Sequence, residues 1–225
     1  MIKIENISFA YPNKSNIFEN FSLEFQADSC TALLGHNGSG KSTLLNLLCG
    51  LALPTAGSIT IDGLLLTKKN LLSIRRIVGL VFQNPENQLF MPTVWEDIAF
   101  GLRNQNLAES VLESKISQVA HELGIQELLR KNSFELSGGE KRTVALACVM
   151  VMQPKVILFD EPTAFLDLRT RRMFMELLAK IRTTKIIVTH DLAFAEYLCE
   201  RAVVLADGQL IYDGSMCELD YKLME

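Results

Sequence analysis

Gly35-His36-Asn37-Gly38-Ser39-Gly40-Lys41-Ser42 fits the phosphate-binding pattern G-x-x-x-x-G-K-[ST]. Residues 30–34, just before it, form an apolar run of strand length, and after it leucines recur at helical spacing until Gly50. The pattern requires this context of strand, glycine-rich loop and helix. The pattern alone is expected by accident in about one chain of this length in a hundred, so the context strengthens the interpretation. The stretch therefore predicts a loop that binds a triphosphate.

The residue types of this loop suit a bound phosphate. Glycines allow backbone N–H groups to approach phosphate oxygens, and the following helix directs its positive end at the same anion. Lys41 adds a charge for the β- and γ-phosphates, Ser42 a hydroxyl for Mg²⁺, and Thr43 a contact for the α-phosphate. The predicted nucleotide-binding residues here are Gly35, His36, Asn37, Gly38, Ser39, Gly40, Lys41, Ser42 and Thr43. The imidazole of His36 occupies a variable position and is assigned no chemistry.

Composition limits the class of protein. The chain has 225 residues, 48% of them hydrophobic, which suits one α/β domain over residues 1–225. Its 22 lysines and arginines against 26 aspartates and glutamates give a net charge of −4, which argues against nucleic acid as a partner. No N-terminal signal peptide is visible, and the longest apolar stretch, residues 143–152, is about half a membrane span. We expect a chain that is soluble by itself but can belong to a membrane complex.

The cysteines show no paired or metal-binding spacing. Their wide separation and odd number predict reduced thiols in a cytosolic protein. The five are Cys30, Cys49, Cys148, Cys199 and Cys217.

An antiparallel β ribbon is predicted around the loop. Apolar residues alternate over residues 2–9 and again over 21–25, after a turn at 12–16, and residues 59–61 with the Asp62-Gly63 turn extend the ribbon. Tyr11 follows the first of these strands. Its ring could stack on a nucleotide base, although an isolated tyrosine at a strand end is more often a packing residue.

Polar residues follow three apolar strands. Residues 78–82 lead to Gln83, residues 156–159 to Asp160 and Glu161, and residues 185–189 to His190. Ligands of open α/β sheets bind at such strand ends. Asp160 suits a metal shell and Glu161 an attacking water, while His190 suits the γ-phosphate. The simpler alternatives are a solvated loop for the acids and an ordinary helix-start histidine before Asp191.

Helices are predicted over about residues 84–150, as an inserted subdomain. It contains Leu136-Ser137-Gly138-Gly139-Glu140, in which Ser137 and Glu140 match a helix capping box. A cap does not need two glycines, which cost up to about 1 kcal/mol each in a helix. The glycines therefore predict a second helix start that an anion can approach.

Another helix is predicted after Asp167, its N-terminal cap. Its apolar face consists of Met173, Phe174, Leu177, Leu178 and Ile181.

Taken together, these residues resemble the nucleotide-binding subunit of ATP-binding-cassette (ABC) transporters over nearly the whole chain. Residues 35–42 match the family's Walker A loop, Gln83 its Q-loop, Asp167 its D-loop, and Asp160 with Glu161 its Walker B aspartate and catalytic glutamate. The resemblance implies a P-loop NTPase (RecA-like) core with an antiparallel β subdomain and a helical subdomain. It gives adenine stacking to Tyr11, an ATP contact to Gln83, and catalytic roles to Lys41, Glu161 and His190. It also gives Mg²⁺ contacts to Ser42, Gln83 and, through water, Asp160. The signature motif gives ATP contacts from a second subunit to Ser137, Gly138, Gly139 and Glu140.

A finer resemblance points to the ATPase subunits of cobalt/nickel and energy-coupling-factor vitamin uptake systems. It rests on residues 81–90, 93–101 and 136–142. The signature ends in Glu140 rather than the commoner glutamine, and the chain ends at Glu225 with little of the C-terminal extension that many of these subunits carry.

The resemblance implies an ATPase motor with ATP and Mg²⁺ as cofactors. Its expected partners are a second ABC ATPase subunit, an integral membrane transport subunit and a substrate-capture membrane protein, at the cytoplasmic face of the cell membrane. One alternative is a nucleotide-dependent regulatory ABC ATPase without a membrane partner, although such relatives usually carry two cassettes. Another is a P-loop kinase or GTPase, against which stand the signature motif and the absence of an Asn-Lys-x-Asp guanine motif.

Overall fold

The computed structural model describes residues 1–13, 15–105 and 107–224. Lys14, within the turn predicted at 12–16, and Glu225, at the end of the predicted domain, lie outside the described residues, as does Asn106.

Strands and helices follow one another along this part of the chain. The strands are β1 (Ile2–Ala10), β2 (Asn16–Phe25), β3 (Cys30–Leu34), β4 (Ala56–Ile61), β5 (Leu64–Leu65), β6 (Val78–Val81), β7 (Val156–Asp160), β8 (Thr184–Val188), β9 (Arg201–Ala206) and β10 (Gln209–Ser215). The α-helices are α1 (Lys41–Leu48), α2 (Leu71–Ile77), α3 (Val94–Arg103), α4 (Glu109–Leu123), α5 (Gly138–Met150), α6 (Leu168–Lys180) and α7 (Leu192–Leu198). Short 3₁₀ turns cover Pro85–Asn87, Gln126–Leu128, Ser133–Glu135, Met216–Glu218 and Tyr221–Met224.

A six-stranded sheet in the order β10-β9-β3-β8-β7-β6 forms the centre of the molecule. Its strands pair in parallel, except that β10 runs antiparallel to β9. The carboxyl ends of β3, β6, β7 and β8 therefore lie along one edge, as in other parallel sheets. This arrangement brings the ends of the predicted apolar strands together.

Alternation along the strands supplies a core on each face of this sheet. On β7, Ile157 and Phe159 pack with the helices α3, α4 and α5, whereas Val156 and Leu158 pack with α1 and the antiparallel sheet. Successive side chains of a strand point to opposite faces, so a strand covered on both faces is apolar throughout. The continuous apolar runs predicted as strands are explained by this double burial.

The predicted antiparallel ribbon is a four-stranded sheet in the order β2-β1-β4-β5. Ile2 lies opposite Phe25 on β2 and opposite Ile61 on β4. Asp62 and Gly63 both have positive φ, 51° and 79°, which the tight turn between β4 and β5 requires.

Local capping residues mark the start of one inserted helix and the end of another. Thr93 caps α3 by accepting a hydrogen bond from the Glu96 N–H, and Gly124 ends α4 in the left-handed conformation. The predicted apolar face of α6 is partly wrong, because Met173 is exposed and only Phe174 and Leu178 of that helix are buried. Within the described residues, no helix combines the length and the apolar character needed to cross a membrane.

Candidate functional site

One cleft of about 500 Å³ lies where the glycine loop meets the ends of the parallel strands. It brings together the loop, Tyr11, Gln83, Asp160, Glu161 and His190 from five separate parts of the sequence. Its full lining is Tyr11, Ile17, Asn37, Gly38, Gly40, Lys41, Ser42, Thr43, Gln83, Asp160, Glu161, Val188 and His190. The remaining predicted loop residues, Gly35, His36 and Ser39, belong to the loop without lining the cleft.

Close packing explains two of the loop glycines. Gly35 has φ 136°, and a Cβ there would lie 2.1 Å from the Leu205 carbonyl oxygen on β9. Gly40 has φ 106°, and a Cβ there would lie 2.9 Å from the Phe18 ring on β2. Any larger residue would push the loop away from the sheets.

The loop opens directly into α1, whose first turn faces the cleft. Gly40 provides no side-chain cap, so the first N–H groups of α1 are left for an external acceptor. The Lys41 ammonium lies under the loop and donates to the carbonyls of Gly35 at 2.6 Å and His36 at 2.8 Å. Burial lowers the pKa of Lys41, while Glu161 and Asp160 act in the opposite direction. The site therefore offers a cation and oriented amide dipoles to an anion.

An aromatic ring borders the cleft. The Tyr11 hydroxyl accepts a hydrogen bond from Asn46 Nδ2 at 3.3 Å, and its ring contacts Phe9 edge-on with centroids 5.0 Å apart. Ile17 lies beside it in the cleft lining. Ile17 was not predicted, because nothing in a strand of alternating residues distinguishes the one that reaches the cleft.

Glu161 and His190 face each other at the ends of β7 and β8. The His190 N–H donates to Glu161 Oε2 at 3.2 Å, and His190 Nε2 lies 3.4 Å from Glu161 Oε1. This second contact lacks hydrogen-bond geometry, so Oε1 is buried with no hydrogen-bond partner among the described residues. Glu161 also has φ 46°, a conformation that costs about 1–3 kcal/mol for a residue other than glycine. Strain and an unpaired carboxylate oxygen are typical of a functional residue.

Burial raises the pKa of both strand-end acids. For Glu161 the His190 N–H and ring partly offset this rise, and for Asp160 the Lys41 ammonium does so. A raised pKa brings a carboxylate closer to the proton affinity that a general base needs.

The polar atoms of the cleft also fit a magnesium ion. The Ser42 hydroxyl, the Gln83 side chain and the Asp160 carboxylate line the same cleft and are oxygen ligands, which Mg²⁺ prefers. Across the described ranges, no group of three His, Cys, Asp or Glu side chains could hold a metal. Magnesium in nucleotide sites does not need such a group, since phosphates and waters complete its shell.

The Ser-Gly-Gly-Glu stretch lies away from this cleft. Ser137, Gly139 and Glu140 line a different one, of about 390 Å³. The predicted capping box is present, with the Ser137 N–H donating to Glu140 Oε2 at 2.7 Å. Packing explains why residue 139 is a glycine, because a Cβ there would lie 2.3 Å from Thr170 Cγ2. Gly138, in contrast, faces open space. The N–H groups of the two glycines and the hydroxyl hydrogen of Ser137, whose oxygen accepts from the Glu140 N–H, remain for an external anion.

An exposed aromatic pair lies beside the Q-loop segment. Phe90 and Phe100 are 62% and 46% exposed and stack edge-to-face with centroids 5.0 Å apart. Neighbouring apolar residues do not widen this surface, because Leu89 is buried and Trp95 packs into the helical core.

Comparison with known proteins identifies the family. The ABC transporter family matches residues 18–164. The energy-coupling factor transporter ATP-binding protein EcfA1 of Leuconostoc mesenteroides is 42% identical over 97% of this chain and 82% of its own length. A putative ABC transporter ATP-binding protein of Synechocystis is 39% identical over 100% of this chain and 78% of its own length.

Solved structures show the same fold. The protein cbiO1 from Clostridium perfringens, part of the ABC transporter complex cbiONQ, superposes with a TM-score of 0.89 at 34% identity, covering 96% of this chain and 89% of its own. The ATP-binding cassette MJ0796, a dimer bound to ADP and Pi, superposes with a TM-score of 0.84 at 27% identity, covering 96% of this chain and 99% of its own. The predicted P-loop fold and the predicted resemblance to this subgroup are confirmed. The chain therefore belongs to the ABC transporter family, whose cassettes are ATPases.

Proposed function

We propose that two such cassettes bind ATP between them and that their closure powers uptake through a membrane protein. The observation that carries this proposal is the separation of two helix N-termini, each of which can bind an anion. The α1 start lies in the nucleotide cleft, and the α5 start lies in a different cleft of the same chain. One nucleotide can contact both only if a second chain supplies the α5 start.

Within the nucleotide cleft, Lys41 and the first turn of α1 bind the β- and γ-phosphates. Tyr11 stacks on the adenine, with its hydroxyl held by Asn46. Both contacts orient the triphosphate with its γ-phosphate towards the ends of β7 and β8. Such positioning is the main contribution of proteins to phosphoryl transfer.

Glu161 is the general base for the attacking water. Its buried Oε1 has no hydrogen-bond partner in the described chain, so it can accept the water's proton. His190 positions this carboxylate through its N–H, and its half-exposed ring is left for the γ-phosphate. A bound Mg²⁺ would neutralise charge on the phosphates, held by Ser42, Gln83 and, through water, Asp160.

The second chain completes the site with its own α5 start. Its Gly138 and Gly139 N–H groups and its Ser137 hydroxyl donate to the γ-phosphate. Hydrogen bonds from Ser137 lower the pKa of Glu140, so this carboxylate stays ionised and holds the helix start in place. Because Gly138 faces open space, a phosphate can approach this backbone without displacing a side chain.

The membrane partner binds at Phe90 and Phe100. The names of the relatives support a transport partner, since one is an energy-coupling factor transporter protein and another is part of the ABC transporter complex cbiONQ. The exposed aromatic pair supports this position for it. The resemblance of residues 81–90, 93–101 and 136–142 to cobalt/nickel and vitamin uptake subunits supports a metal ion, cobalt or nickel, or a vitamin as the solute. A substrate-capture membrane protein then selects it, and the ATPase works at the cytoplasmic face of the membrane.

A complementation experiment tests the shared site. In the Glu161→Gln background, which slows hydrolysis, the parent should become a dimer with ATP, as measured by light scattering. Lys41→Ala disables the cleft and Gly138→Asp repels phosphate at the α5 start, so each variant alone should stay monomeric. Mixed together they should form dimers with one ATP each, because one intact site remains.

A mixture of two differently tagged Lys41→Ala chains is the matched control and should stay monomeric. If the Lys41→Ala and Gly138→Asp mixture also stays monomeric while the parent dimerises, the shared site is wrong. Co-purification of the chain with a co-expressed membrane subunit then distinguishes the two functions. An ATPase of an uptake system should co-purify, whereas a regulatory ATPase should bind no membrane subunit.

A further inference from the structure

Two cysteines meet at the end of the parallel sheet opposite the nucleotide cleft. Cys30 begins β3 and Cys199 directly follows α7, yet their sulfur atoms lie 3.0 Å apart. The parallel pairing of β3 with β9 explains the contact. Thr31 lies opposite Arg201, so Cys30 lies level with Glu200, the residue directly after Cys199.

Only one of the two thiols is reachable from solvent. Cys199 is 4% exposed, whereas the partly buried Cys30 lines a surface cleft of about 480 Å³ together with Ser29, Lys185 and Glu200. A small reagent can therefore reach Cys30 first. Cys199 can react only through Cys30.

The contact between the two thiols and the groups around them shift the two pKa values in opposite directions. A hydrogen bond from the Cys199 thiol is the main cause that lowers the pKa of Cys30; Lys185 acts in the same direction, and burial and Glu200 oppose it. The same contact and burial raise the pKa of Cys199. The Lys185 ammonium is held next to the cleft by the Ile181 carbonyl at 2.6 Å. Cys30 therefore ionises more readily than Cys199, and it is also the thiol that lines the surface cleft.

We propose that Cys30 and Cys199 form a thiol–disulfide exchange site for small disulfides such as oxidised glutathione. The Cys30 thiolate attacks one sulfur of the small disulfide, forming a mixed disulfide and releasing one small thiolate. That thiolate takes the proton of Cys199, and the Cys199 thiolate then attacks Cys30 Sγ and displaces the second small group as a thiolate. One small disulfide is thus reduced to a thiol and a thiolate, which takes from solvent the proton that Cys30 lost when it ionised, while Cys30 and Cys199 are oxidised to one disulfide.

The bond would join two elements that lead to the nucleotide cleft. β3 continues into the phosphate loop, and α7 begins just after His190 and Asp191. Since the sulfurs are already in contact, the bond requires little movement of the backbone. It would close a loop across most of the chain and so restrict the unfolded state.

The other cysteines provide the comparison. Cys49 and Cys148 have pKa values raised by burial, and Cys217 is exposed beside the Ser215 hydroxyl. No second pair of sulfurs is in contact in the part of the chain that the structure describes.

The experiment treats the reduced, folded full chain with oxidised glutathione, blocks free thiols and maps the peptides by mass spectrometry. We expect a linked peptide pair carrying Cys30 and Cys199, with a mass two hydrogens below the sum of the reduced peptides. The melting temperature should rise by about 5 °C or more, the amount expected for a disulfide in a chain of this size. A chain whose glutathione remains only on Cys217 would overturn the proposal.

Two variants sharpen the test. Cys199→Ser should stop at the mixed disulfide on Cys30, and Cys217→Ser should form the bridge as the parent does. Bridge formation in the parent is measured without any substitution, so a variant that folds poorly does not decide the result. Equal glutathione on Cys30 in parent and Cys199→Ser, with no bridge in the parent, would refute the exchange step.

Discussion

Arg142 on α5 donates a hydrogen bond from Nη1 to the main-chain carbonyl of Gln83 at 2.7 Å. Its Nη2 donates to the Ala164 carbonyl at 2.9 Å, in the loop between Glu161 and α6. The side chain is buried, at 2% exposure, and its Nε has no partner among the described residues. One cation thus connects the helix of the signature motif with the backbone of Gln83 and with the loop that follows Glu161.

The first prediction concerns this connection. Arg142→Lys keeps the charge but cannot span two carbonyls, because an ammonium lacks the guanidinium fork. We expect kcat for ATP to fall about tenfold, as the loss of one positioning contact allows, with KM changed less than about threefold. Steady-state ATPase assays on the chain purified with its membrane subunit measure both constants.

Arg172→Lys is the matched control, since Arg172 lies on the exposed face of α6 and pairs with Glu176. It should match the parent. A parental kcat in Arg142→Lys, with normal folding, would show that the connection only stabilises the fold.

The second prediction concerns Glu161. Glu161→Gln should keep ATP binding but reduce hydrolysis about 10²–10⁴-fold, the usual contribution of a general base. Burial raises the pKa of Glu161 above the ordinary glutamate value of 4.5, and the base works only when it is ionised. Parental kcat should therefore decline on acidification at a higher pH than an ordinary glutamate would cause, and Glu161→Gln should lack this decline.

Rates measured across pH, together with filter binding of ATP, check this. If the acid decline persists in Glu161→Gln, another group carries the titration and the base lies elsewhere.

The pattern of apolar residues along the sequence predicted the strands and the residues at their ends. The apolar runs before Gly35, Gln83, Asp160 and His190 became adjacent parallel strands, so residues at their ends meet. Doubly buried strands leave this signal in the sequence because most of their residues are apolar.

Contacts between distant segments left no such signal. Cys30 meets Cys199 through the register of β3 and β9, and Gly139 is small because Thr170 packs against it. Arg142 follows a motif but looked like any charged helix residue, since its partners are backbone carbonyls, which every sequence has. These features depend on contacts between residues that lie far apart in the sequence. A local sequence pattern does not reveal such contacts.

The third prediction concerns Asp97, which is buried on α3. Its Oδ1 accepts hydrogen bonds from the N–H groups of Phe90 and Met91, both at 2.9 Å, and so fixes the loop that carries Phe90. Asp97→Ala leaves these donors unpaired and should lower the free energy of unfolding by about 1–3 kcal/mol. Asp97→Asn keeps the acceptor for both N–H groups and should not show this loss. Urea unfolding with intrinsic fluorescence gives both values.

The pH dependence of these variants has a defined sign. Burial raises the pKa of Asp97 above the ordinary aspartate value of 3.8. As pH rises from 3.8 to the raised pKa, ionisation increasingly favours the unfolded chain and lowers the free energy of unfolding. Above the raised pKa this loss is complete. Asp97→Asn avoids this cost and should gain stability relative to the parent as pH rises through that window. A difference between parent and Asp97→Asn that does not vary with pH would contradict this account.

The last prediction concerns the membrane partner. Phe90 and Phe100 form the exposed aromatic pair of α3 and its preceding loop, and Gln83 lies seven residues before Phe90 on the same segment. If Gln83 holds Mg²⁺ beside the γ-phosphate, as proposed above, a change in its contacts can move the surface that carries Phe90. A short helix of a membrane subunit would cover such a pair with its own apolar face.

Phe90→Glu places a charge in that contact, which costs more than the lost apolar area alone. We expect loss of co-purification with the membrane subunit and loss of transport, while ATP binding and the ATP-dependent dimer of the Glu161→Gln background persist. Leu72→Glu is the matched control, because Leu72 is equally apolar and 77% exposed but lies on α2. It should co-purify as the parent does. An intact complex and normal transport in Phe90→Glu would show that the partner docks elsewhere, and equal loss in both variants would show a general effect of surface charge.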